Sequence, residues 1–197
     1  MKNIGILIFN DIELLDFAGP YEVFSVTNEL NNNNLCKTFT IEEQNRTIDS
    51  VNGLKIISDY SFKNCPKIDI LVIPGGVGTK ALLEQEEVLK WVLDRYDESE
   101  ITFSVCSGTR ILGKIGLLDG IKYTTHHEVM EDMNQIAPKA IIVSGKRFID
   151  NGKLLTSAGI SAGIDLSLYL VEKIFGKEIR EKTQAYMEYG NWRKSKT

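Results

Sequence analysis

The chain has 197 residues, 43% of them hydrophobic, and a formal net charge of −4. That is enough apolar material for one sizeable core, with no composition break to divide it, so a single domain over residues 1–197 is expected. The scattered basic residues exclude a nucleic-acid-binding surface, no apolar run is long enough to span a bilayer, and three cysteines without zinc-ligand spacing exclude a disulfide framework.

Residues 4–9 form a continuous apolar run of strand length, and Asn10-Asp11-Ile12-Glu13 after it reads as a loop. The chain then enters a helix with Tyr21, Phe24 and Val26 on its apolar face and Pro20 near its first position. Asp16 has two readings here: a plain helix cap, or a carboxyl group delivered to the sheet edge where sites of open α/β sheets form. The asparagine run at 31–34 is a connection, residues 38–42 read as a strand, and Asn52-Gly53 between apolar flanks reads as a hairpin turn. Cys36 and Cys65 lack any basic partner or turn context and are expected to be structural.

A second buried strand, residues 68–73, runs into Pro74-Gly75-Gly76-Val77-Gly78, where paired glycines let backbone N–H groups approach a ligand. Neither the lysine of a phosphate loop nor dinucleotide spacing is present. Helical patterns follow at 80–85 and 88–96. Residues 101–105 form another strand, and Ile111, Leu112 and Ile115 recur at helical spacing beyond it, which places Cys106 at a strand-to-helix turn. One reading makes Cys106 a nucleophile whose pKa is lowered by the positive end of the helix; the other makes it an inert core residue.

A short strand at Tyr123 leads to the chain's only histidines, His126 and His127, and to a helix around 128–133. Neighbouring side chains on one element diverge and no ligand-spaced partner exists, so no metal is expected. His126 is open to two readings, a proton-transfer partner of Cys106 or a surface residue at a helix start. Strands are expected at 141–143, 147–149 and 154–156, the last two joined through Asp150-Asn151-Gly152-Lys153. Residues 157–163 read as a small-residue turn whose backbone is expected to pass close to a neighbour and line a pocket with Cys106. A helix follows at 164–175, ended by Gly176, and an amphipathic helix at 178–189 is expected to cover the sheet. The basic tail Arg193-Lys194-Ser195-Lys196 reads as a solvated end.

Strands alternating with helices predict an α/β three-layer sandwich: a mostly parallel sheet with helices on both faces. Within it, Asp16-Phe17-Ala18-Gly19-Pro20, Ile73-Pro74-Gly75-Gly76 and Ser104-Val105-Cys106-Ser107-Gly108 resemble the ThiJ/PfpI superfamily, with its flavodoxin-like, class I glutamine amidotransferase-like fold. Thr124-Thr125-His126, residues 158–165 and Met187-Glu188-Tyr189 look most like its isocyanide (isonitrile) hydratase branch. Ser107 stands where that branch carries Thr, His127 where it carries an aromatic residue, and Ser107 also argues against the protease-like branch, which has His after the nucleophile.

The resemblance implies Cys106 as nucleophile and Asp16 as its carboxyl partner, with a raised pKa. Gly75 or Gly76 and Ser107 would supply the anion-stabilising amides, and His126 and Ile160 would line the substrate site. It implies a cofactor-free hydratase acting on a small-molecule electrophile through a thioimidate on Cys106, in a homodimer. Composition and the absence of a helix-turn-helix, a signal sequence or an apolar span add the expectation of a free-standing cytoplasmic protein without nucleic-acid or membrane partners. The alternatives are a glyoxalase- or deglycase-like enzyme of reactive carbonyls and a non-enzymatic cysteine redox sensor.

Overall fold

The computed structural model describes residues 1–191; the basic tail at 193–196 lies outside the described residues. In chain order the elements are β1 (Lys2–Leu7), α1 (Leu14–Glu29), β2 (Cys36–Glu42), β3 (Thr47–Asp49), β4 (Lys55–Ile57), β5 (Tyr60–Ser61) and β6 (Ile70–Ile73). There follow α2 (Thr79–Leu82), α3 (Glu86–Glu98), β7 (Ile101–Ser104), α4 (Thr109–Lys114), β8 (Lys122–Tyr123) and α5 (Met130–Ile136). β9 (Ile141–Ile142), β10 (Phe148–Asn151), β11 (Leu154–Ser157), α6 (Ala162–Phe175) and α7 (Lys177–Tyr186) complete the described chain.

Seven strands form the central sheet in the order β10-β11-β7-β6-β1-β2-β5, parallel throughout except where β10 returns antiparallel along β11. Ile4 pairs with Thr38 on one side and Ile70 on the other, so β1 lies inside the sheet between β2 and β6. Both faces of the central strands are covered, and β6 is accordingly buried at every position. From β1 the chain steps outward to β2, then crosses back to β6 on the other side of β1. Right-handed crossovers in opposite directions put helices on opposite faces, which gives the three layers. The same reversal opens a crevice beyond the C-terminal ends of β1 and β6.

Several expectations are corrected. Helix α1 begins at Leu14, so Pro20 lies inside it and Asp16 sits in its first turn rather than at a cap. Helix α7 packs on α6 and α1 instead of the sheet, and Thr27 and Thr183 join hydroxyls at 3.0 Å between α1 and α7. The strand expected at 141–143 shortens to β9, which pairs with β8 in a separate two-stranded sheet. The Asn52-Gly53 hairpin forms: β3 and β4 pair antiparallel, Gly53 N–H donates to the Ser50 carbonyl, and Gly53 adopts a φ of 80°.

Candidate functional site

At the end of β7, Val105 is still extended, and the chain then turns through a single 3₁₀ turn, residues 106–108, into α4. Cys106 takes the left-handed conformation, φ 55°, at a cost of about 1–3 kcal/mol for a residue with a Cβ. Hydrogen bonds hold it there from both sides. Its N–H donates to the Ala158 carbonyl (3.2 Å), and its own carbonyl accepts from the hydroxyls of Thr125 (2.8 Å) and Thr109 (3.2 Å). The turn lifts the thiol to the wall of a cavity of about 440 Å³, where it is 7% exposed.

Asp16 reaches this point from the first turn of α1 and is completely buried. Its Oδ2 accepts from the Gly75 N–H (2.9 Å), while Oδ1 has no hydrogen-bond partner among the described residues. Gly75 has to be glycine: a Cβ there would stand 2.6 Å from the Ser107 nitrogen and 2.8 Å from Asp16 Oδ2. Burial pushes the Asp16 carboxyl up to about 7; the negative charge of Glu13 adds to this, while the Gly75 amide and the bond to the thiol oppose it. The raised carboxyl agrees with expectation.

The thiol does not behave as the helix argument predicts. Burial, and then the charge of Asp16, push Cys106 up to about 12, against the amides of Ile160 and Ser107, which favour the thiolate. A six-residue α4 reached through a 3₁₀ turn cannot outweigh the loss of hydration. At neutral pH the resting pair therefore holds its sulfur as thiol beside a carboxyl group poised to exchange protons.

Gly76, Ser107, His126 and Ile160 line the cavity with Cys106, whereas Asp16 and Gly75 lie behind its wall. The Gly75 N–H is engaged by Asp16, and the Gly76 N–H by Ser107 Oγ (2.8 Å). The amides directed at sulfur are those of Ser107 and Ile160, and Ile160 is itself left-handed, φ 47°. His126 accepts a hydrogen bond from the Glu128 N–H through Nδ1 (3.3 Å) and packs its ring against His127, with centroids 4.3 Å apart. The expected divergence of the two rings is thus corrected: His126 ends an extended segment and His127 opens a 3₁₀ turn, which swings one ring over the other.

Sequence reasoning missed Arg110, Lys80 and Asp132, which line the same cavity. Arg110 falls four residues after Cys106 in what reads as the apolar pattern of α4, and only its interruption of that pattern could have signalled it. A separate cavity of about 200 Å³, walled by Phe9, Phe62, Leu82 and Val88, offers no thiol, hydroxyl or imidazole. Among the described residues no group of three or more His, Cys, Asp or Glu side chains is placed to hold a metal ion. No helix there is long and apolar enough to cross a membrane.

A family model described as the DJ-1/PfpI family matches residues 2–173. The chain is 31% identical to isonitrile hydratase of Pseudomonas putida over 189 residues, covering 94% of this chain and 78% of that protein. It is 27% identical to the HTH-type transcriptional regulator GbdR of Pseudomonas aeruginosa, spanning 90% of this chain and 48% of the regulator. Among solved structures, a ThiJ/PfpI family protein from Pseudomonas syringae superposes with a TM-score of 0.86 at 29% identity, over 95% of this chain and 75% of the other. Drosophila melanogaster DJ-1beta superposes with a TM-score of 0.83 at 19% identity, over 96% and 98%. The likeness to DJ-1beta is one of fold.

Proposed function

Since the chain belongs to the DJ-1/PfpI family, we propose that Cys106 is a nucleophile toward a small electrophile and that its reaction is hydration of an isocyanide to an N-substituted formamide. The observation that carries this reading is the strained Cys106 turn at a cavity wall with a raised carboxyl group behind it, one of whose oxygens has no hydrogen-bond partner among the described residues. Similarity to the isonitrile hydratase supports the choice of electrophile.

The chemistry follows from the pair. The isocyanide carbon accepts the sulfur lone pair, the thiol proton passes to Asp16, and Asp16 returns it to the same carbon, giving a thioimidate on Cys106. A carboxyl group with a pKa of about 7 can do both at neutral pH. Water then adds to the thioimidate carbon, the carbon–sulfur bond breaks, sulfur regains a proton and the formamide leaves. The Ser107 and Ile160 amides favour negative charge on sulfur at the two moments when it develops.

The test is formamide release from an alkyl or aryl isocyanide by the wild-type chain and by Cys106→Ala. Turnover by the wild type alone is expected. Equal turnover by both would remove Cys106 from the reaction. Conversion of methylglyoxal to lactate, with isocyanides untouched, would replace the substrate class.

A further inference from the structure

Arg110 occupies the first turn of α4 and lines the same cavity as Cys106, with its side chain only 7% exposed. A guanidinium carries five N–H donors. Here Nη1 donates to Thr79 Oγ1 (3.1 Å), Nη2 is ion-paired with Asp132, and Nε is buried without a partner among the described residues. Lys80, also at the cavity, brings its Nζ to 3.9 Å from the same Asp132 oxygen that pairs with Arg110. Two cations thus converge on one carboxylate whose side chain is 38% exposed. The cluster is wired to the nucleophile's surroundings: Thr79 Oγ1 donates to the Gly76 carbonyl, and the Gly76 N–H donates to Ser107 Oγ.

Stability does not account for this arrangement. A buried ion pair is often no better for folding than apolar residues of similar volume, and a neutral electrophile would be served by an apolar wall. What a buried guanidinium does supply is a planar fork suited to a carboxylate. Glu13 and Glu128 also line the cavity, so the overall field does not gather anions; recognition would rest on the Arg110 and Lys80 contacts themselves.

We propose that the electrophile turned over at Cys106 carries a carboxylate, bound by Arg110 and Lys80 in the place that Asp132 holds in the resting protein. This deepens the proposed function and rests on its reading of Cys106 as a nucleophile toward a small molecule. Isocyanides bearing a carboxylate on a short chain are the corresponding substrate class. Asp132, at the cavity lip, is the internal stand-in that keeps the buried guanidinium neutralised until the substrate displaces it.

The experiment uses covalent capture, which needs no turnover. Cys106 is labelled with 3-maleimidopropionate or with N-ethylmaleimide, followed by mass spectrometry of the Cys106 peptide, and the rate ratio of the two is normalised to the same ratio for glutathione. In each case sulfur bonds to one alkene carbon and a proton goes to the other, so the probes differ in the carboxylate alone. Arg110→Leu is expected to lower the wild-type preference for the carboxylated probe roughly ten- to a hundredfold, the effect of one charged hydrogen bond. Lys80→Met should lower it about threefold, as for an exposed charge, and Asp132→Asn should raise it.

An unchanged ratio in Arg110→Leu overturns the proposal. Should that variant fail to fold, opposite shifts in Lys80→Met and Asp132→Asn support the proposal, and any other pattern overturns it. Loss of isocyanide hydration with the labelling preference intact would refute the hydratase reading while leaving the carboxylate site standing. Equal kcat/KM for neutral and carboxylated isocyanides would do the reverse.

Discussion

Cys36 and Cys106 are both buried, and both thiols are pushed up to about 12 by the loss of hydration. Their backbones set them apart. Cys36 opens β2, pairs in register with Lys2 and donates its thiol to the Phe24 carbonyl at 3.4 Å, so its one polar hydrogen is already placed. Cys106 is held left-handed at a cavity wall beside the carboxyl group of Asp16, to which its thiol is hydrogen-bonded. Resting acidity therefore does not separate the proposed nucleophile from the structural cysteine. A route for a substrate and a partner able to take the proton do.

The comparison is broken most severely by removing sulfur. Cys106→Ala should reduce isocyanide turnover on the order of 10⁴-fold or more, measured as formamide release, whereas Cys36→Ala should leave kcat unchanged. Asp16→Asn keeps an acceptor for the Gly75 amide but cannot exchange a proton. It should lower kcat by about 10²- to 10⁴-fold, yet speed alkylation of Cys106 at pH 8, because the charge that opposes the thiolate is gone.

Stability should follow the same carboxyl group. With the folded pKa at about 7 against 3.8, the contribution of Asp16 is fully present below pH 4 and is lost as pH rises through 7, on the order of 4 kcal/mol in all. Denaturant titrations should therefore show Asp16→Asn gaining on the wild type between pH 4 and 8. A flat difference would mean the carboxyl group is not raised. The smallest expected effect sharpens the contrast: brief treatment with iodoacetamide should modify the Cys106 peptide, at its cavity wall, before that of Cys36, which is fully buried.

Much of the architecture was legible because its signals are local. The apolar runs that became β1, β6 and β7, the glycine of the β3–β4 hairpin and the strand-to-helix turn at Cys106 each follow from short-range backbone preferences. The misplaced start of α1 came from reading Pro20 as a helix opener, when the packed helix tolerates it internally. Thiol acidity and the charged lining of the cavity were not legible, since both depend on burial summed over distant segments. Arg110 only interrupts the apolar pattern of α4 in the sequence, and its partner Asp132 is supplied from α5.

The left-handed backbone at Cys106 also has an evolutionary consequence. Any side chain at this position carries the strain of the turn, whereas glycine would carry none. Cysteine and glycine codons differ by a single base, so one mutational step leads from the strained thiol to a residue that relieves the turn and carries no sulfur. Under the proposed function, selection on the reaction is what keeps sulfur at position 106, and a lineage released from it should drift toward glycine there.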